Sequence, residues 1–322
     1  MLCFAVVTYV SAFLLSDCYR SPHPVTGTRN HSYMDAVRVN LGQKQTWFCG
    51  LVQYVSLYGT SIAYTITTST SMRAIKKSDC YHKEGDKAPC AYGDSFYMLM
   101  FGGVQIVLSQ IPDFHNMAWL SVMAAIMSFS YSFIGFSLGI AKVIANGSIK
   151  GGIGGIPLAS SVRKTWRVSQ ALGDIAFAYP YSIILLEIQV FSQQVFSFVD
   201  RWSSEKFPNN GSVKTFYTIK LPFLPAYRFN LLRICFRTIY VASTTGLAMF
   251  FPYFNEVLGL LGAFNFWPLA IYFPVEMYFV QRKIETWTKK WIILQTFSVA
   301  CLLVSIFAFI GSVEGVVSEK LS

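Results

Sequence analysis

The sequence predicts an all-α, polytopic membrane protein: a helical bundle with about eight transmembrane helices. Apolar residues make up 53% of the 322 and charged residues only 13%, against roughly 25% charged in an ordinary soluble domain. Mean hydropathy is +0.44. The charges are also spaced unevenly, leaving eight windows near the length of a bilayer span, which takes about 20 mostly apolar residues. A soluble chain would need a very large core to hide eight such windows.

The first four windows are 1–16, 45–72, 95–112 and 114–141, each without Asp, Glu, Lys or Arg. The fifth, 168–186, has one exception, Asp174. The last three are 238–255, 257–275 and 291–313, each bounded by charges. The opening window has no basic residues before it, so it does not read as a cleavable signal peptide. It reads as a span that starts abruptly, which suggests a chain whose amino terminus has been lost.

The net charge of +10 and pI near 9.2 would raise nucleic-acid binding in a soluble protein. Here the basic residues cluster in loops, where they set orientation and meet anionic lipid, so no nucleic-acid partner is expected. Nothing basic precedes the first window, while Arg20, Arg29, Arg38 and Lys44 follow it. The chain is therefore expected to start outside, with the basic loop 201–237 in the cytosol.

That orientation puts the polar loop 73–94 outside, where Cys80 and Cys90 can pair in an oxidising compartment. Two free thiols are the alternative. The other cysteines (Cys3, Cys18, Cys49, Cys235 and Cys301) sit in or beside windows and read as small packing residues. The Gly-rich stretch between Lys142 and Lys164 reads as a flexible outside loop. Its GGIGG run makes a poor phosphate site, since no strand precedes it and no GKS or GKT follows. Of the sequons at Asn30, Asn146 and Asn210, only Asn146 falls outside. The stub VFSQQVFSFVDRW, 190–202, is too short to cross and either extends the preceding helix or lies in the interface.

Soluble-enzyme constellations are missing: there are four His, all at loops or window edges, and no HExxH, CxxC pair or GxSxG. The chemistry concentrates at Asp174, within LGDIAFAYPY. An acid at membrane depth costs at least about 2.5–3.5 kcal/mol and by default faces the bundle interior on a pathway. Gly173 and Pro180 flank it as helix breakers, and interrupted helices build transporter substrate sites. The alternative is a kinked packing helix whose Asp bonds a neighbour. In the second window Gln53, Tyr54, Ser56, Tyr58, Ser61, Tyr64 and Thr65 form a polar stripe, which reads equally as interhelical glue or as a cavity lining. Pro268 and Pro274 predict a bend in the seventh window.

Several runs resemble one family. They are DCYRSPHPVTGTRNHSYMDAVR, YTIT at Tyr64, LSQIPDFH at Leu108, SVMAAIMSFSY at Ser121, GDIAFAYPYS at Gly173 and FWPLAIYFPVEM at Phe266. The chain is similar over nearly its whole length to the plant amino acid permeases, proton-coupled members of the amino acid/auxin permease family. The resemblance implies the five-plus-five inverted-repeat transporter fold, here partial. An eleven-span relative would contain a first span and a seventh and eighth span that this chain lacks, the internal gap falling after LLEIQ.

The resemblance also implies a site. Gly173, Asp174, Ile175, Ala176, Phe177, Ala178 and Tyr179 would face the substrate's amino and carboxylate groups, with Tyr54 on a further wall. It implies amino acid:proton symport at the plasma membrane, with no cofactor beyond the proton gradient and with an amino acid and the lipid bilayer as partners. The alternative is a truncated, non-transporting protein that associates with a full-length permease.

Overall fold

In the computed structural model the described residues are 2–21, 27–30, 32–85, 89–90, 92–110, 118–147, 161–178, 196, 199, 217–219 and 227–321. They are overwhelmingly helical: α1 (Leu2–Asp17), α2 (Tyr33–Leu41), α3 (Gln43–Glu84), α4 (Asp94–Ser109), α5 (Ala118–Asn146), α6 (Ser161–Ala178), α7 (Leu231–Phe250), α8 (Phe254–Trp267), a π-helical turn (Pro268–Tyr272), α9 (Phe273–Gln281) and α10 (Lys289–Leu321). Two short antiparallel hairpins add β1 (Arg20–Ser21) with β2 (Thr28–Arg29), and β3 (Tyr217–Ile219) with β4 (Tyr227–Phe229). The chain divides into two units, 1–110 with 166–322, and 111–165. The second holds α5.

Each of the eight apolar windows carries helix within its described part. Among the described residues three helices are long and apolar enough to cross a membrane, 122–146, 254–281 and 289–318, and α1 and α4 are shorter apolar helices. The fold is that of an all-α membrane protein. The sequon at Asn30 lies in no accessible loop, because the side chain is buried and its Nδ2 donates to the Cys18 carbonyl at 2.9 Å and to Ser21 Oγ at 3.0 Å.

Much of the expected polar loop at 73–94 is helix instead. No Gly or Pro interrupts the chain between Met72 and Gly85, and Lys83 pairs with Asp79 one turn back at 3.0 Å. The Lys83 ammonium, donating to Asp79, holds that carboxyl below the usual carboxylate range. With 42 residues, α3 is roughly 63 Å long at 1.5 Å per residue, far more than a bilayer core requires. Its charged end therefore stands in water.

There Cys80 and Cys90 are joined by a disulfide that ties α3 to the segment leading into α4, and Arg73 meets Asp94 at the start of α4 at 2.7 Å. Glu84 lies beside both sulfurs, but a disulfide leaves no thiolate to hold a metal. Exposed ion pairs contribute little, whereas closing a ten-residue loop covalently stabilises by about 2–3 kcal/mol. Cys80→Ser with Cys90→Ser should lower the melting temperature of purified protein, and dithiothreitol should have the same effect on the wild type but none on the double variant.

The bent helix of α8, the π turn and α9 is the centre of the larger unit, with 67% of its most apolar stretch buried, against 22% for α10. The Phe273 N–H bonds the Pro268 carbonyl, one residue farther back than in an α-helix, so the ladder is interrupted where Pro268 and Pro274 predict a bend. Two cores form around this helix. Leu15, Tyr33, Val37, Cys49 and Val52 pack on Leu269, Phe273 and Met277. Phe4 and Leu14 pack with Ala176, Phe266, Ile271, Val275 and Cys301. Lipid is as apolar as these side chains, so close contact and internal hydrogen bonds, more than the hydrophobic effect, select this arrangement.

A carboxylate pair beneath a glycine interface

Helix α6 begins with Arg163, Lys164 and Arg167 and buries Ser169, Gln170, Gly173 and Ala176 along one stripe. It runs through Gly173 and Asp174 without a break, so Gly173 is not the helix breaker expected of it. Gly173 serves close approach instead: a Cβ on it would lie 2.5 Å from the Gly259 carbonyl oxygen of α8. Reciprocally, a Cβ on Gly262 would run into the Gly173 carbonyl and lie 2.5 Å from the Phe177 nitrogen. On the α10 side Gly311 makes room for Ser169, whose hydroxyl donates to the Phe307 carbonyl, and Gly315 faces the Gln170 amide. Small residues at these points let three helix backbones approach directly. Tyr179 and Pro180 lie outside the described residues.

Asp174 is half-buried, and its Oδ1 is fully enclosed with no hydrogen-bond partner among the described residues. That oxygen reaches over Gly259, 3.0 Å from where a Cβ would be, and Ser312 Oγ of α10 comes within 2.8 Å of the same point. Glu256, in the first turn of α8, is 8% exposed. Its Oε1 accepts from Gln170 Nε2 at 3.1 Å, and it is close enough to act electrostatically on Asp174. The face thus gathers two carboxyl groups, one amide and one hydroxyl over a floor of glycine.

The other expected site residues divide. Ile175 and Ala176 are packed into the second core, Phe177 lies on Gly262, and Ala178 is exposed. Tyr54 is not brought to them: its hydroxyl meets Met34 Sδ of α2 at 3.7 Å. Three residues of the polar stripe of α3 act as interhelical glue. Asn265 of α8 donates to Ser56 Oγ at 2.7 Å, Tyr58 donates to Ser243 of α7 at 2.9 Å, and Ser61 bonds Tyr240 at 3.0 Å. Leu261 and Asn265 face α3 while Glu256, Gly259 and Gly262 face α6, so α8 stands between Tyr54 and Asp174.

In the sequence Glu256 stands only as the charge that separates windows 238–255 and 257–275. The available signal was helical spacing: Glu256, Gly259, Gly262 and Phe266 lie on one face at intervals of three and four.

A polytopic helical membrane protein with acids enclosed between its helices has the features of a membrane transporter. The family model for transmembrane amino acid transporter proteins matches residues 1–195 and 190–318, and the chain belongs to that family, whose members are transporters and not enzymes. It is 44% identical over 401 residues to Probable amino acid permease 7 of Arabidopsis thaliana, covering 99% of this chain and 86% of the relative. It is 41% identical over 400 residues to Amino acid permease 3 of the same plant, covering 100% and 84%. Lysine histidine transporter-like 6, also from Arabidopsis thaliana, is 24% identical over 382 residues, covering 92% and 79%. No solved structure matches the chain. The first alignment runs over 401 positions and the chain has 322 residues, so at least 79 positions of the relative have no counterpart here. The two stretches of the family match meet at 190–195.

Proposed function

We propose that the chain moves amino acids across the plasma membrane by proton-coupled symport, with residues 173–179 as the substrate side of the site. The observation that carries this is Asp174. In a member of an amino acid transporter family, an acid at membrane depth has one oxygen enclosed and unbonded beside a second buried acid. An unpaired intramembrane carboxylate is expensive and marks a pathway, and Asp174 and Glu256 are carboxyl groups able to take up and release the coupling proton. The Cys80–Cys90 disulfide supports the orientation in which α3 ends outside, because disulfides persist in oxidising compartments.

The unmatched positions support a further proposal about architecture. Seventy-nine residues suffice for two spans of about 20 residues with their connections, which agrees with a missing seventh and eighth span at the 190–195 junction. Removing an even number of spans leaves every later helix in its usual orientation. The same observation favours a second reading, in which the chain alone does not transport because one wall of the path is absent. Uptake of labelled amino acids by cells expressing only this chain, beside cells expressing it with the relative's intervening segment inserted at the junction, separates the two. Transport by both supports symport by the chain itself; transport only after insertion supports the second reading.

A further inference from the structure

The π turn depends on a hydrogen bond that its own helix cannot make. The Phe273 N–H bonds the Pro268 carbonyl, and the next bond in that register would run from residue 274 to the Leu269 carbonyl. Residue 274 is proline and has no N–H. Leu269 is fully buried, so water cannot serve its carbonyl. The donor comes from another element: Tyr33 of α2, itself 0% exposed, donates its hydroxyl to the Leu269 oxygen at 2.6 Å.

The fold holds α2 ready for this. Ser32 caps it by accepting from the Asp35 N–H at 3.0 Å, and Ala36 and Val37 bury its inner face. Gly42, with φ of +84°, then turns the chain directly into α3. The far end of the bent helix is held by the neighbouring segment. Gln281 Nε2 donates to the Asp17 and Arg20 carbonyls at 2.9 and 2.6 Å, and Arg282 pairs with Asp17 at 2.7 Å. Polar, exchangeable bonds therefore fasten the bent helix to the α1–α2 segment at both its π turn and its end.

We propose that Tyr33 is a positioning residue: its hydroxyl stands in for the N–H that Pro274 lacks, latching α2 to the bent helix and fixing the π turn. Any movement of the π turn away from α2 must break this bond and take the Tyr33 donor from the buried Leu269 carbonyl. The latch belongs to the bent helix and does not depend on the assignment of Asp174 or on proton coupling.

Two native thiols report on it. Cys18 and Cys49 are both 0% exposed in the same core as Tyr33, and burial pushes the Cys18 thiol up to about 12, so both should react slowly with maleimide while the latch is closed. The experiment measures labelling rates by mass spectrometry on the full chain in membranes. Tyr33→Phe keeps the ring and removes only the donor, and should speed labelling of Cys18 and Cys49 roughly tenfold, the scale of leaving one buried acceptor unsatisfied. Pro274→Ala returns a backbone N–H to position 274, so Tyr33→Phe with Pro274→Ala should fall back to the wild-type rate. Cys301, in the other core, should not change. Wild-type labelling in Tyr33→Phe, no rescue by Pro274→Ala, or equal acceleration at Cys301 would each overturn the latch.

Discussion

Gly262→Ala is expected to remove most of the folded protein, although alanine is the better helix former. The substitution gains up to about 1 kcal/mol in helix propensity. Against this, the new methyl would run into the Gly173 carbonyl oxygen and lie 2.5 Å from the Phe177 nitrogen, and both obstacles are backbone that cannot rotate away. Relief requires α6 to leave α8, and overpacking of this kind costs on the order of 3 kcal/mol. The clash wins. Loss of the interface would also strip Glu256 of its bond from Gln170. Gly103→Ala is the control, since a Cβ there meets nothing within 4 Å and propensity acts alone. Fluorescence-detected size exclusion should show Gly262→Ala as aggregate and Gly103→Ala as a normal or slightly more stable peak. A monodisperse Gly262→Ala protein would contradict the interface.

Asp174→Asn is expected to abolish proton-driven amino acid uptake while leaving folding intact, measured in the chain with the relative's intervening segment restored. Asparagine keeps the shape but cannot exchange a proton. A structural Asp would tolerate the change, because measured interhelical hydrogen bonds in membranes average only about 0.6 kcal/mol. The expected result is therefore a split: unchanged surface density, no uptake. Normal proton-dependent uptake by the Asn variant would remove Asp174 from the site while leaving family membership untouched.

The helices were legible because a bilayer forces backbone bonds to close within each segment, so an uncharged run near span length is a helix wherever it falls. Pro268 and Pro274 marked the interruption in the seventh window because two missing N–H groups cannot be hidden. What could not be read depended on partners distant in sequence. Gly173 looks like a breaker in isolation and becomes a contact point only when Gly259 lies across it. The stripe on α3 gives no hint that Asn265, Ser243 and Tyr240 will take up its hydroxyls. Glu256 was passed over because a charge between two apolar windows looks like an end, whereas it sits in the first turn of α8 and is buried against α6. Tyr33 carries no signal of its own until the π turn places an orphaned carbonyl above it.

Coupling of amino acid movement to protons is tested most directly by proton movement. Proteoliposomes holding the chain with its intervening segment restored, with a pH-sensitive dye outside, would be given an amino acid without any imposed gradient. With proton coupling, each addition alkalinises the medium as protons enter with the substrate, labelled amino acid accumulates in parallel, and Asp174→Asn removes both signals. Amino acid entry with no change in external pH would contradict it.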